Sequence, residues 1–99
     1  KVNPREVESV LLSVPGIGDA AVLGVPDAAR GEALVACLVS RQALSRETVM
    51  SHLRQELAEH KLPRRLIFLE EIPRNPRGKI DRRALLEASG TFKPTASGR

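Results

Sequence analysis

The sequence holds one cysteine, Cys37, and two aromatic residues, Phe68 and Phe92, with neither tryptophan nor tyrosine among its 99 residues. A lone cysteine forms no internal disulfide and no cysteine-based metal site, which fits a reducing compartment and sets a cytoplasmic location as the expectation. Within Leu34-Val35-Ala36-Cys37-Leu38-Val39 it reads as a small buried hydrophobe rather than a reactive thiol. So few rings leave an aliphatic core, disfavour an aromatic-walled ligand cavity, and give a single-stranded nucleic-acid platform almost nothing on which to stack bases. No apolar run approaches the roughly 18 residues of a membrane span, and none follows the charged-then-apolar pattern of a signal peptide. The first residue is Lys1 rather than methionine, so the chain is expected to be a segment of a longer protein.

The chain is 41 % apolar and 28 % charged, a globular composition sufficient for one modest core. Its net charge is +4, but the distribution says more. Lys61, Arg64, Arg65, Arg74, Arg77, Lys79, Arg82 and Arg83 are eight of the sixteen basic residues, and only Glu70, Glu71 and Asp81 oppose them in that stretch. Such a region is either a solvated basic face or a surface for a phosphate-bearing partner, nucleic acid or nucleotide cofactor.

Asn3-Pro4-Arg5-Glu6 supplies a helix cap, a first-position proline and a glutamate three residues after the cap, and Val7, Val10, Leu11 and Val14 follow at helical spacing. This predicts an amphipathic helix over 4–13, stopped by Pro15-Gly16. Asp19 to Val25 and Ala33 to Val39 predict two antiparallel strands covered on both faces. Ser45 caps a helix through His60, with Val49, Met50, Leu53 and Leu57 as its apolar stripe and Pro63 beyond it. Arg65 to Leu69 is a third strand. Ile72 to Gly78, with two prolines and a glycine, is a loop, and Asp81 caps a last helix bearing Ala84, Leu85 and Leu86. The tail over 90–99 is small and polar, hence frayed. The order α-β-β-α-β-α specifies a two-layer α/β (α+β) domain, helices packed on a short, mostly antiparallel or mixed sheet.

Common motifs are excluded one by one. Gly78-Lys79 ends like a P-loop, but Ile80 stands where a Ser or Thr must bind magnesium, and no glycine lies five residues before Gly78. His52 and His60 lack partners for a metal site, and no Ser/His/Asp arrangement can be argued.

Three stretches in order do resemble a known family: Lys1-Val2-Asn3-Pro4-Arg5-Glu6-Val7-Glu8; Ala20-Ala21-Val22-Leu23-Gly24-Val25-Pro26-Asp27 with Gly31-Glu32; and Pro73-Arg74-Asn75-Pro76-Arg77-Gly78-Lys79-Ile80-Asp81-Arg82. From Lys1 to about Leu86 the chain is similar to the C-terminal domain of the adenylate-forming enzymes: acyl- and aryl-CoA synthetases, luciferases and nonribosomal peptide synthetase adenylation domains. The resemblance implies a lid domain over 1–89 that rotates between two steps, attack of a carboxylate on the α-phosphate of ATP to form an acyl-adenylate and displacement of AMP by the thiol of coenzyme A. It implies an N-terminal domain, absent from this sequence, that holds ATP, Mg2+ and the acyl pocket. The family's hinge residue and the glycine before the match to Lys1 lie outside the sequence as well.

Lys79 matches the family's invariant lysine. A flexible ammonium on a glycine-containing loop can reach the meeting point of carboxylate and phosphate, offset their repulsion and stabilise growing negative charge. His60-Lys61-Leu62-Pro63-Arg64-Arg65 corresponds to where CoA-using members meet the nucleotide end of the cofactor; Arg64, with Lys61 and Arg65 behind it, is the candidate phosphate contact, the competing reading being a solvated basic turn. Val2, Asn3 and Pro4 match the family's mobile hairpin, or serve only to start the helix; Gly24 permits a close approach by a neighbour. Arg74, Arg77 and Arg82 either orient the loop or are solvated. Two alternatives stand beside this reading: an adenylation domain that loads a carrier protein, and a basic nucleic-acid-binding module, which lacks a recognition motif.

Overall fold

The computed structural model describes residues 3–29 and 31–90. Helix α1 spans Pro4–Leu12, begun by the Asn3 side chain, which accepts from the Arg5 N–H, and by a proline where no donor is needed. It buries Val7 and Leu11. Strands β1 (Ile17–Asp27) and β2 (Gly31–Ser40) form an antiparallel pair, longer at both ends than 19–25 and 33–39. Pro26 does not end β1, because β1 lies at the sheet edge, where a missing N–H breaks no ladder. Gly31, at φ +82°, supplies the left-handed residue leading into β2.

Helix α2 spans Arg46–Glu56, with Ser45 Oγ accepting from the Thr48 N–H at 3.0 Å. It stops four residues short of the expected His60. Leu57 turns to extended backbone and drives its side chain into the core while its N–H still donates to Leu53 O, so burial of an apolar side chain ends the helix before Pro63 can. A 3-10 turn at Glu59–Lys61 leads to β3, Arg65–Phe68, which pairs parallel with β2. The sheet order β1-β2-β3 is therefore mixed. Helix α3, Arg82–Ser89, starts where Asp81 Oδ1 accepts from the Ala84 N–H and ends at Gly90, φ +73°. The rest of the expected 90–99 tail, with Lys1 and Val2, lies outside the described residues.

Strand alternation sorts the core into two clusters. Ala20, Val22, Leu34, Ala36 and Leu38 point to one face and meet Val7 and Leu11 of α1 and Val49, Met50 and Leu53 of α2. Ala21, Leu23, Val35 and Cys37 point to the other and meet Ile72 and Leu85. Both faces of β1 and β2 are thus covered, as the unbroken apolar runs require. Each fully buried leucine, such as Leu11, Leu38, Leu53 and Leu85, contributes about 1.5–3 kcal/mol. Cys37 is one of these packed residues; burial pushes its thiol from 9.0 up to about 11, against a small opposing pull from the Arg65 charge. The α3 side of this packing fixes the segment just before that helix.

Candidate functional site

The segment Pro73 to Asp81 is a loop held almost entirely by its own backbone and one asparagine. Arg74 and Ile80 form an antiparallel bridge, and the Asp81 N–H donates to Pro73 O at 3.0 Å. Inside that bridge the Asn75 N–H donates to Lys79 O and the Gly78 N–H to Asn75 O, both at 2.8 Å. Asn75 Oδ1 accepts from Arg77 N at 2.9 Å and from Lys79 N at 3.1 Å, an Asx-type turn that a short amide side chain makes readily. Gly78 sits at φ +86° in open space, so glycine is needed here for its backbone conformation and not for room. The base of the loop is buried at Ile72, and Ile80 packs against the second core cluster.

Lys79 is exposed at this loop, and its ammonium makes no hydrogen bond or ion pair among the described residues. Its backbone N–H and C=O are both engaged, so a free charge stands on an ordered peptide. It lines an open groove of about 570 Å³ together with Asn3, Pro4 and Arg5 of the α1 start, Arg74 and Arg82. The groove runs along the outer edge of β1, where two backbone N–H groups are already taken: Ala20 N donates to Asp19 Oδ1 and Val22 N to Glu8 Oε2, both at 2.9 Å. Those two carboxylates protect the edge strand from pairing with another chain. Four cations and one carboxylate, Glu8, line the groove, so its field favours an anion. Asn3 and Pro4 start α1 and also line this groove; Val2 falls outside the described residues.

Arg74 has a defined task. Its Nη2 donates to both Asp19 oxygens, at 3.0 and 2.9 Å, and its Nη1 donates to Gly78 O at 3.1 Å. Asp19 lies 55 residues earlier, and nothing local in the sequence could have paired the two. The Asn75 turn, by contrast, has a local signal in the spacing Asn75-Pro76-Arg77-Gly78.

The basic turn forms a separate place. Arg64 and Arg65 line a cleft of about 190 Å³ with Val25, Pro26 and Asp27, and Arg64 pairs with Asp27 at 3.5 Å. Lys61 is not part of that cleft; its ammonium reaches both oxygens of Glu6 on α1 at 3.1 Å. Neither pocket shares a residue with the other. Gly24 is crossed by the Glu32 side chain, whose carboxylate oxygen would come within 2.5 Å of any Cβ there. His52 faces Ser13 Oγ at 3.2 Å, and among the described residues no group of His, Cys, Asp and Glu could hold a metal ion.

A family described as the AMP-binding enzyme C-terminal domain matches residues 6–79. This chain belongs to that family. Among its relatives, a long-chain-fatty-acid–CoA ligase of Mycobacterium tuberculosis is 44 % identical over 94 residues, a match covering 94 % of this chain and 19 % of that ligase. The mitochondrial malonate–CoA ligase of Homo sapiens is 43 % identical over 88 residues, covering 87 % of this chain and 15 % of the ligase. The crystal structure of ATP-bound MatB from Rhodopseudomonas palustris superposes with a TM-score of 0.80 at 35 % identity, covering 87 % of this chain and 18 % of that one. The AMP-binding C-terminal domain thus spans less than a fifth of each of these proteins. Its order α-β-β-α-β-α and mixed three-stranded sheet agree with the fold class expected from the sequence.

Proposed function

We propose that this chain is the mobile C-terminal domain of an ATP-dependent acyl- or aryl-CoA synthetase and that it supplies Lys79 to the adenylation step. In the first half-reaction a carboxylate oxygen attacks the α-phosphorus of ATP, the bond to the β-phosphate oxygen breaks, and acyl-adenylate and pyrophosphate result. In the second, the sulfur of coenzyme A attacks the acyl carbon, AMP leaves, and the thiol proton goes to solvent. The observation that carries the reading is the Lys79 ammonium, exposed and uncommitted on a peptide whose own polar groups are all bonded. A charge held in that way needs little rearrangement to meet negative charge developing between two anions. ATP and the acid belong to the larger domain that relatives of this length possess, and Mg2+ with them; no step here runs through a metal. The phosphates of CoA fall first to Arg64, whose pair with Asp27 is long at 3.5 Å, and to Arg65, with Lys61, paired more closely with Glu6 at 3.1 Å, behind them. A carrier protein as acyl acceptor remains the alternative, and a carrier domain following Arg99 in the parent protein would favour it.

The test is to substitute Lys79 by alanine in the complete synthetase and measure the half-reactions separately. Adenylation should slow by about 100-fold or more, the scale of losing one preorganised contact to the transition state. Thioester formation from supplied acyl-adenylate and CoA should be nearly unaffected, because rotation of the lid carries the loop away. Equal losses in both steps would refute the proposal.

A further inference from the structure

The peptide unit joining Gly78 to Lys79 is gripped at both ends. Its carbonyl oxygen accepts from Arg74 Nη1 at 3.1 Å, and its N–H donates to Asn75 Oδ1 at 3.1 Å. The side chain that holds the carbonyl is itself tied to β1, because Arg74 Nη2 contacts both oxygens of Asp19. Asp19 belongs to a strand paired along its length with β2, the middle of the sheet, whereas the 73–81 loop is bonded mainly to itself and is placed by the buried Ile72 before it, by Ile80 and by the start of α3. One guanidinium thus connects the lysine's own peptide to the rigid sheet. Lysine would not serve equally, since it offers one compact charge in place of two separate nitrogens held in a rigid planar fork, one on the carboxylate and one on the carbonyl.

We propose that Arg74, through Asp19, is a positioning residue for Lys79: it fixes the direction of the 78–79 peptide and so the place from which the ammonium reaches the reacting groups. This rests on the assignment of Lys79 to adenylation. As a contribution to stability the pair is minor, because Arg74 and Asp19 are 38 % and 33 % exposed and solvent screens a pair so placed. Its effect is on orientation, where small misplacements of a catalytic group are expensive in rate.

The experiment uses the complete synthetase and four variants: Arg74→Ala, Asp19→Asn, Lys79→Ala, and Arg74→Ala combined with Lys79→Ala. Asp19→Asn keeps an oxygen for the Ala20 N–H and removes the charge that holds Arg74. Arg74→Ala and Asp19→Asn should each lower kcat for adenylation by roughly 10- to 100-fold with KM for ATP unchanged, while thioester formation from supplied acyl-adenylate persists. In the Lys79→Ala background, Arg74→Ala should cause no further loss, because its action passes through the lysine. Three results would each overturn the clamp with Lys79 still standing: adenylation within about two-fold of wild type in Arg74→Ala, equal loss in both half-reactions, or a further loss in the double variant, which would mean that Arg74 touches substrate itself. If Lys79→Ala alone leaves adenylation intact, the lysine assignment fails and the clamp fails with it. The two failures therefore produce different patterns.

Discussion

Arg64 and Lys61 stand three positions apart in one basic turn, yet their surroundings separate them. The Lys61 ammonium already has two carboxylate oxygens at hydrogen-bond distance, while Arg64 has a looser pair at 3.5 Å and a guanidinium about half exposed beside a cleft. An arriving phosphate can displace a contact of that length at little cost, since exposed pairs are worth at most about 1 kcal/mol and a bidentate phosphate contact is stronger. Arg64→Glu in the complete synthetase should therefore raise KM for CoA by roughly 10-fold or more and leave KM for ATP unchanged, with Lys61→Ala moving the CoA value less. Steady-state titration of each cofactor checks this; an unchanged CoA value would make the turn a solvated surface. At this scale the sequence is most informative where the candidate site is built from residues close in the chain. Lys79 and Gly78 could be read from one short motif, whereas the Arg74–Asp19 and Lys61–Glu6 pairs each join residues 55 positions apart and depend on the finished fold.

Among the elements, all three helix starts were legible, and the helix end that was missed is that of α2. Asn3, Ser45 and Asp81 each cap the helix assigned to them, because capping is a contact over two or three residues. The end of α2 depends on Leu57 finding the core, which no local rule supplies, and the parallel pairing of β3 depends on where α2 returns the chain. β1 runs past its expected end at Val25, through Pro26, because it is an edge strand, a status fixed only by the sheet order, whereas β3 stops at Phe68, one residue short of the expected Leu69. Asp81 deserves a test, since it both ends the lysine loop, by donating to Pro73 O, and starts α3, whose Leu85 seals the second core cluster. Asp81→Ala should cost about 1 kcal/mol through the lost cap, a fall in Tm of roughly 4–8 °C for a chain of this size. Thermal unfolding followed by circular dichroism measures it; an unchanged Tm would mean that α3 is held by Leu85 alone.

For the whole molecule, the two relatives named above are matched at nearly the same identity, 44 % and 43 %, though one is named for long-chain fatty acids and the other for malonate. The degree of match to this chain therefore does not follow the size or polarity of the acid in a relative's name. What this chain does possess is a complete small core. Apolar side chains fill both faces of the sheet, three capped helices close it, and among the described residues no buried side-chain polar atom is left without a partner. At 99 residues folding buries roughly 60–70 % of the unfolded surface, enough for a marginal but independent domain. Catalysis is another matter, because a lysine that stabilises a transition state needs the reactants brought to it, and the groove beside Lys79 is open along the β1 edge. The purified 99-residue chain should therefore unfold cooperatively on heating while releasing no pyrophosphate above background from ATP and a panel of carboxylic acids. Calorimetry and a coupled pyrophosphate assay on the same preparation decide it. Release of pyrophosphate would place an ATP site within these residues and overturn the division of labour proposed here, and a chain that melts without a cooperative transition would show that its core depends on a partner surface.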